Sequence, residues 1–252
     1  METLKFLIQR LKYPHKKSAL KYFLRDPHLL FTLCPKVSKI YFSKTLESLS
    51  NKNIVECLHN FLPEKFYNFL MEKGFVDYDG TRLILYAIVR MFKPDIVVET
   101  GVARGASSAY ILAALHENRK GILYSIDLPP HEAAYIKNEE GYILEDGQKH
   151  YIQKIGDLVP EYLRSRWTLI IGDSKKELPK LLSEIDSISI FFHDSLHTYE
   201  HMMFEYTTAW PHIEKGGLLI SHDVLWNSAF LDFAKRVKRK PIFFYSLGVI
   251  RK

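Results

Sequence analysis

Cysteine is nearly absent: Cys34 and Cys57 are the only two in 252 residues and do not form a C-x-x-C. Neither a disulfide framework nor a cysteine-built zinc site is suggested, and a reducing cytosol fits. No run of 18 or more uncharged apolar residues occurs, and the N-terminus lacks the continuous apolar core of a signal peptide. The expectation is a cytoplasmic chain without a membrane span. Repeats and low-complexity tracts are missing as well. What remains, 47% hydrophobic and 25% charged residues, is ordinary globular composition, enough for one domain with an extension.

The net charge of +6 is unevenly placed. Residues 1–50 carry ten Lys/Arg against three Asp/Glu, a net +7, which leaves the rest at −1. Basicity therefore belongs to the extension, which argues against a nucleic-acid groove through the active site. Leu4, Leu7, Ile8 and Leu11 fall on one helical face with Lys5 and Lys12 off it. That face has two readings: docking of residues 1–25 on an anionic membrane surface, or packing on the domain or a partner. Residues 1–80 read as a basic, mainly helical extension whose aromatics (Tyr22, Phe23, Phe31, Tyr41, Phe42, Phe66, Tyr67, Phe69) are core or cover an acceptor pocket. Residues 81–252 read as the catalytic domain.

The centre of that domain is the stretch from Pro94 to Asn118. Ile96, Val97 and Val98 form a short β-branched strand, Glu99 ends it, and Gly101 and Gly105 allow a sharp turn. Ser107 and Ser108 then open a helix whose free N–H groups face the turn. A dinucleotide G-x-G-x-x-G is not present, because Ala103 holds the place of its second glycine. The dehydrogenase pattern T-G-x-x-x-G-x-G breaks at Ser107, and a Tyr-x-x-x-Lys occurs only upstream, at Tyr13 and Lys17.

Strand and helix signals alternate downstream. Gly121–Asp127, Trp167–Asp173, Ile188–Asp194 and Gly216–Asp223 read as strands, and Ser174–Leu182, Thr198–Trp210 and Ala229–Arg239 as helices. Ile242–Ile250 reads as two short strands. This predicts an α/β fold, a Rossmann-like doubly wound sheet, mostly parallel with a C-terminal antiparallel hairpin. Ligands in such sheets lie beyond the C-terminal strand ends, and all five of the main strands end in Asp or Glu. Asp127, 22 residues after Gly105, stands where a carboxylate would accept from both ribose hydroxyls, and Asp173 and Ser174 would edge an adenine. The 39 residues from Leu128 to Arg166 make a long link, expected to be a lid or acceptor wall.

With these residues together, residues 80–252 resemble the class I S-adenosylmethionine (SAM)-dependent methyltransferases. Glu99, Gly101 and Gly105 match the first motif, Asp127 the ribose acid, and Gly172 and Asp173 the adenine-side motif. Asp194-Ser-Leu-His197-Thr-Tyr199-Glu200 is similar to the fourth-strand D-G-D-H-S-Y-E of a branch that methylates hydroxyls of sugars and secondary metabolites. The resemblance implies SAM held by Glu99, Gly101, Gly105, Ser107, Asp127, Asp173, Ser174 and Asp194, with a small-molecule or saccharide acceptor. It also implies chemistry at His197, Asp194 and His222. His197 is the first choice of base, since imidazole titrates near neutral pH, and His222 the second. That branch places a divalent metal between the fourth-strand Asp and an Asp-Asp pair after the fifth strand. Here the pair reads His222-Asp223 and the second fourth-strand Asp is Leu196, so Asp194, His222 and Asp223 are the set for Mg or Mn.

Two rivals stand beside this reading. His197-Thr-Tyr-Glu200-His201 spells H-x-x-E-H, the spacing of a zinc peptidase whose histidines sit one helical turn apart. A SAM- or nucleotide-binding protein without turnover is the other.

Overall fold

The computed structural model describes residues 62–75, 81–128, 155–244 and 246–252. The amphipathic face at Leu4–Leu11, the aromatics from Tyr22 to Phe42, both cysteines and residues 129–154 of the long link lie outside the described residues. Among those described, no helix is long and apolar enough to cross a membrane.

Helices α1 (Glu64–Glu72) and α2 (Thr81–Phe92) precede strand β1 (Ile96–Thr100), helix α3 (Ala106–Asn118) and strand β2 (Ile122–Asp127). A 3₁₀ turn, Glu161–Arg166, leads into β3 (Trp167–Ile171), α4 (Ser174–Glu184), β4 (Ile188–His193) and α5 (Tyr199–Ala209). Strand β5 (Ile213–Ser221), helix α6 (Ala229–Arg236) and the strands β6 (Ile242–Phe244) and β7 (Leu247–Arg251) close the chain. The sheet order is β3-β2-β1-β4-β5-β7-β6. Strands β1 to β5 run parallel, and β7 pairs antiparallel with both β5 and β6. This is the Rossmann-like sheet with a C-terminal antiparallel pair that the alternation predicts.

Strand periodicity builds the two halves of the core. Val97, Leu123, Ile190, Phe192, Leu218 and Ile220 face one side, where α2 and α3 cover them together with Phe66 and Tyr67 of α1. Val98, Ile126, Phe191 and Leu219 face the other, under α4, α5 and α6. Both faces of the central strands are thus buried, which explains why they read as unbroken apolar runs. Residues 62–75 share the first half of the core, so Phe66 and Tyr67 are core residues.

From β1 the chain winds outward through β2 and β3, then returns to place β4 on the other side of β1. The reversal leaves a crevice beyond the C-terminal ends of β1 and β4, where Thr100 pairs with His193. Several strand boundaries differ from expectation: only Asp127 is the last residue of its strand, while β3, β4 and β5 stop at Ile171, His193 and Ser221 and leave Asp173, Asp194 and Asp223 just beyond them. Glu99 does not end β1, which continues to Thr100. Strand β5 starts at Ile213 instead of Gly216, because a register shift between Ile188 and Ile190 accommodates the glycine pair inside the strand.

Candidate active site

The crevice is built first from the glycine turn. Gly101 has φ +83°, and a β-carbon there would lie 2.1 Å from the Asp194 carbonyl oxygen. Gly105, φ +84°, is the left-handed N-cap of α3, and its β-carbon would lie 2.8 Å from the Gly156 Cα. Both glycines are therefore required by backbone passing backbone, not only by a ligand. The end of the long link is stitched onto this turn: Gly156 N donates to the Ala103 carbonyl (3.0 Å) and Leu158 N to that of Arg104 (2.9 Å). Asp127, the last residue of β2, folds over the turn and accepts from Val102 N (3.1 Å) and Ala103 N (2.7 Å) through Oδ2, while Oδ1 accepts from Leu128 N.

Glu99 is placed differently from the other acids. It is fully buried, and it accepts from the hydroxyls of Ser107 (2.6 Å), Ser108 (2.6 Å) and Ser125 (2.7 Å). Burial pushes its carboxyl up to about 7, against the three hydroxyls that pull it down. Ser107 is thus spent on Glu99 beneath the turn. Sequence reasoning missed Ser125, although a serine inside the apolar strand ILYSID was its signal. Asp173 caps α4, accepting from Lys175 N at 2.9 Å, and Ser174 Oγ lies 3.1 Å from His201 Nε2.

Beyond β4 the chain turns without helix through Asp194–His197, and Thr198 caps α5. This brings Asp194 and His222, 28 residues apart, into contact: Asp194 Oδ1 is 2.8 Å from His222 Nδ1 and 3.7 Å from His197 Nε2. Burial alone would lower the His222 imidazole, but Asp194, with Asp223 behind it, raises it to about 9. Asp194 stays below the usual carboxylate range because His222 outweighs its burial. His197 is driven the other way, to about 3, by burial first and then by His193 and His222, so it does not titrate near neutral pH as the sequence led one to expect. At neutral pH the pair is therefore an imidazolium against a carboxylate, with a neutral imidazole beside it.

Asp194, His197 and His222 each offer one ligand atom, and these atoms lie within 4.8 Å of one another. His197 thus takes the place that sequence reasoning gave to Asp223, which lies 3.7 Å from His222 instead. Two imidazoles and one carboxylate suit Mn, Fe, Co or Zn better than Mg. Asn227 holds the next loop to this cluster by donating to the His197 carbonyl at 2.9 Å. It leaves Trp226, 44% exposed, with its ring 5.8 Å from that of His197.

The H-x-x-E-H reading does not survive this geometry. His197 precedes the N-cap of α5, so it and His201 do not share a helical face. His201 turns instead to Glu205 Oε1 (2.8 Å) and Ser174. Glu205 itself is fully buried and also meets Thr100 Oγ1 (2.6 Å), His193 Nδ1 (2.6 Å) and Ser195 Oγ (2.9 Å). Burial would raise its carboxyl, yet His193 and His201 hold it well below the usual range. Only His201, one turn back on the same helix, is a local partner of Glu205; the others come from two distant segments, the end of β1 and the end of β4.

Residues 98–224, half of the chain, match the family described as methyltransferase domain. The chain belongs to that family. Its matched region begins at β1 and ends just past His222-Asp223, so the glycine turn, Asp127 and the Asp194–His222 cluster all fall within the methyltransferase domain. No curated protein matches. Among solved structures, the SAH-bound Podospora anserina methyltransferase PaMTH1 is similar at TM-score 0.51 and 13% identity over 79% of this chain and 94% of that one. A structure described as a putative caffeoyl-CoA O-methyltransferase from Staphylococcus aureus is similar at TM-score 0.51 and 16% identity, over 80% and 98%. The O-methyltransferase NovP gives 0.50 and 18%, over 68% and 77%. At these identities the likeness establishes the fold.

Proposed function

We propose that this methyltransferase moves the methyl group of SAM to a hydroxyl of a small molecule or saccharide. The observation that carries the reading is the cluster at the end of β4: a partly buried, neutral His197 whose Nε2 has no hydrogen-bond partner, next to the ion-paired Asp194 and His222. Its place at the strand reversal, one strand from the glycine turn over which Asp127 folds, supports a donor on one side and an acceptor on the other. The three O-methyltransferase and methyltransferase neighbours, one of them SAH-bound, support the same donor.

In this reading Asp127 and the N–H groups it holds order the turn that receives the donor. The sulfonium of SAM supplies an already activated methyl, so the S–CH₃ bond breaks and its electron pair stays on sulfur, giving S-adenosylhomocysteine (SAH), while the acceptor oxygen forms the new bond. The protein's share is alignment, which is worth ~7 to 11 kcal/mol, and removal of the hydroxyl proton. His197 receives that proton, and Asp194, 3.7 Å from its Nε2, stabilises the imidazolium that forms. His222 is already protonated at neutral pH and is assigned to orienting Asp194. If a divalent cation is present, Asp194, His197 and His222 hold it, and it lowers the acceptor's pKa in place of the base.

The test is calorimetry with SAM and SAH, followed by mass detection of methylated product over a panel of catechols, sugars and phenols. Product formation by the wild type, abolished in His197→Ala with SAM binding retained, is the expected outcome. Binding without product from any acceptor favours a non-catalytic SAM-binding protein.

A further inference from the structure

Glu205 lies outside the chemistry just described, yet it is bonded to both sides of the crevice. Its Oε2 meets Thr100 and His193, and its Oε1 meets Ser195 and His201. An ionised carboxylate only accepts, so all four neighbours donate and its lone pairs are filled. Thr100 immediately precedes Gly101 of the donor turn, while His193 and Ser195 flank Asp194 of the acceptor side. The two sides already touch: Asp194 N donates to the Thr100 carbonyl at 2.8 Å, and the Asp194 carbonyl fills the space a β-carbon of Gly101 would need. Glu205 ties the same two segments together from beneath.

Stability does not account for a carboxylate in this position. Taking such a group out of water costs several kcal/mol, and apolar residues of similar volume commonly hold a core as well or better. The four bonds specify instead the position of Thr100 relative to His193 and Ser195, and a displacement of about 1 Å in a site of this kind can cost about a hundredfold in rate.

We propose that Glu205 is a positioning residue that couples the donor turn to the Asp194–His197 loop, so that occupation of the donor pocket sets the placement of His197. The proposal rests on the SAM reading above. It acts through Thr100, His193 and Ser195, since Glu205, with no exposed surface, reaches neither donor nor acceptor.

The experiment uses SAH as the probe, with calorimetry for affinity and side-chain NMR of ¹⁵N-histidine-labelled full-length protein for the His197 ring. In the wild type, SAH binds and shifts the His197 signals. In Glu205→Gln, which keeps size and shape, SAH binds within about threefold of wild-type affinity, less than 1 kcal/mol, but the His197 shift is lost. Thr100→Val removes only the donor-side hydroxyl and gives the same result, which keeps the test intact if Glu205→Gln does not fold. A purely structural Glu205 would lower the melting temperature and leave the shift in place. A His197 shift that persists in these variants, or is absent from the wild type despite SAH binding, overturns the coupling alone. Absence of SAH binding to the wild type overturns the SAM reading and the coupling with it.

Discussion

Asp194 Oδ1 lies 2.8 Å from His222 Nδ1 and 3.7 Å from His197 Nε2, so a single carboxylate oxygen serves two imidazoles of opposite protonation. The nearer ring is held as imidazolium and the farther one is kept neutral by burial and by the imidazolium beside it, against the pull of Asp194. Proton acceptor and charge-balancing partner are thereby separated within one cluster.

His222 is raised from 6.5 to about 9, so its contribution to stability is fully present below about pH 6.5 and is lost as pH rises through about 9. Urea denaturation of chelator-treated protein should show a loss of at most roughly 3 kcal/mol over that window. His222→Gln should flatten it. Identical pH profiles for the two proteins would contradict the ion pair.

Glu99 is also raised, from 4.5 to about 7, by burial. Its contribution is present below about pH 4.5 and lost as pH climbs through about 7, a lower window than that of His222. The stability difference between wild type and Glu99→Gln should therefore move in favour of the variant by roughly 3 kcal/mol from pH 4.5 to 7.5. A difference that stays constant across this range would show that the carboxyl titrates normally.

The glycine turn is sensitive to a single methyl group. Gly101→Ala places a carbon 2.1 Å from the Asp194 carbonyl oxygen with φ at +83°, and Gly105→Ala one 2.8 Å from Gly156. Both should lose more than about 3 kcal/mol and weaken SAH binding. Gly74→Ala, with φ +63° and nothing within 4 Å, should cost only about 1 kcal/mol and leave binding alone. Melting curves and calorimetry on the three variants separate crowding from backbone strain.

Cation preference follows from the donor set of Asp194, His197 and His222. If the cluster takes a cation, calorimetric titration should detect Mn, Co or Zn at one ion per chain, with Mg markedly weaker, since imidazole nitrogen is a poor ligand for Mg. His197→Ala should reduce the affinity, whereas Asp223→Asn should change it little. Equal affinity for Mg and Mn would point to an all-oxygen site elsewhere.

The architecture was legible because its signals are local. Apolar β-branched runs such as Ile96–Val98, acids at or just past the strand ends and helical segments such as Ser174–Leu182 depend on neighbours a few residues away, and strand and helix periods report burial directly. The glycine turn, Asp127 and the Asp194 loop could be named for the same reason. Direction is different. Glu99 and Ser107 belong to the donor motif by position, but they point at each other under the turn, because β1 runs one residue further than its apolar core. The H-x-x-E-H string is a spacing without a shared helix, since α5 begins only after its first histidine. His197 joining Asp194 and His222, and Glu205 joining Thr100 and Ser195, required β1, β4, β5 and α5 to be packed side by side. Sequence alone determined which segments become strands, helices and turns, because those choices rest on short-range sterics and burial. Only the tertiary structure decided which carboxylate meets which partner across the sheet, because those contacts span 28 residues for Asp194–His222 and 105 for Thr100–Glu205 and are set by the order of strands.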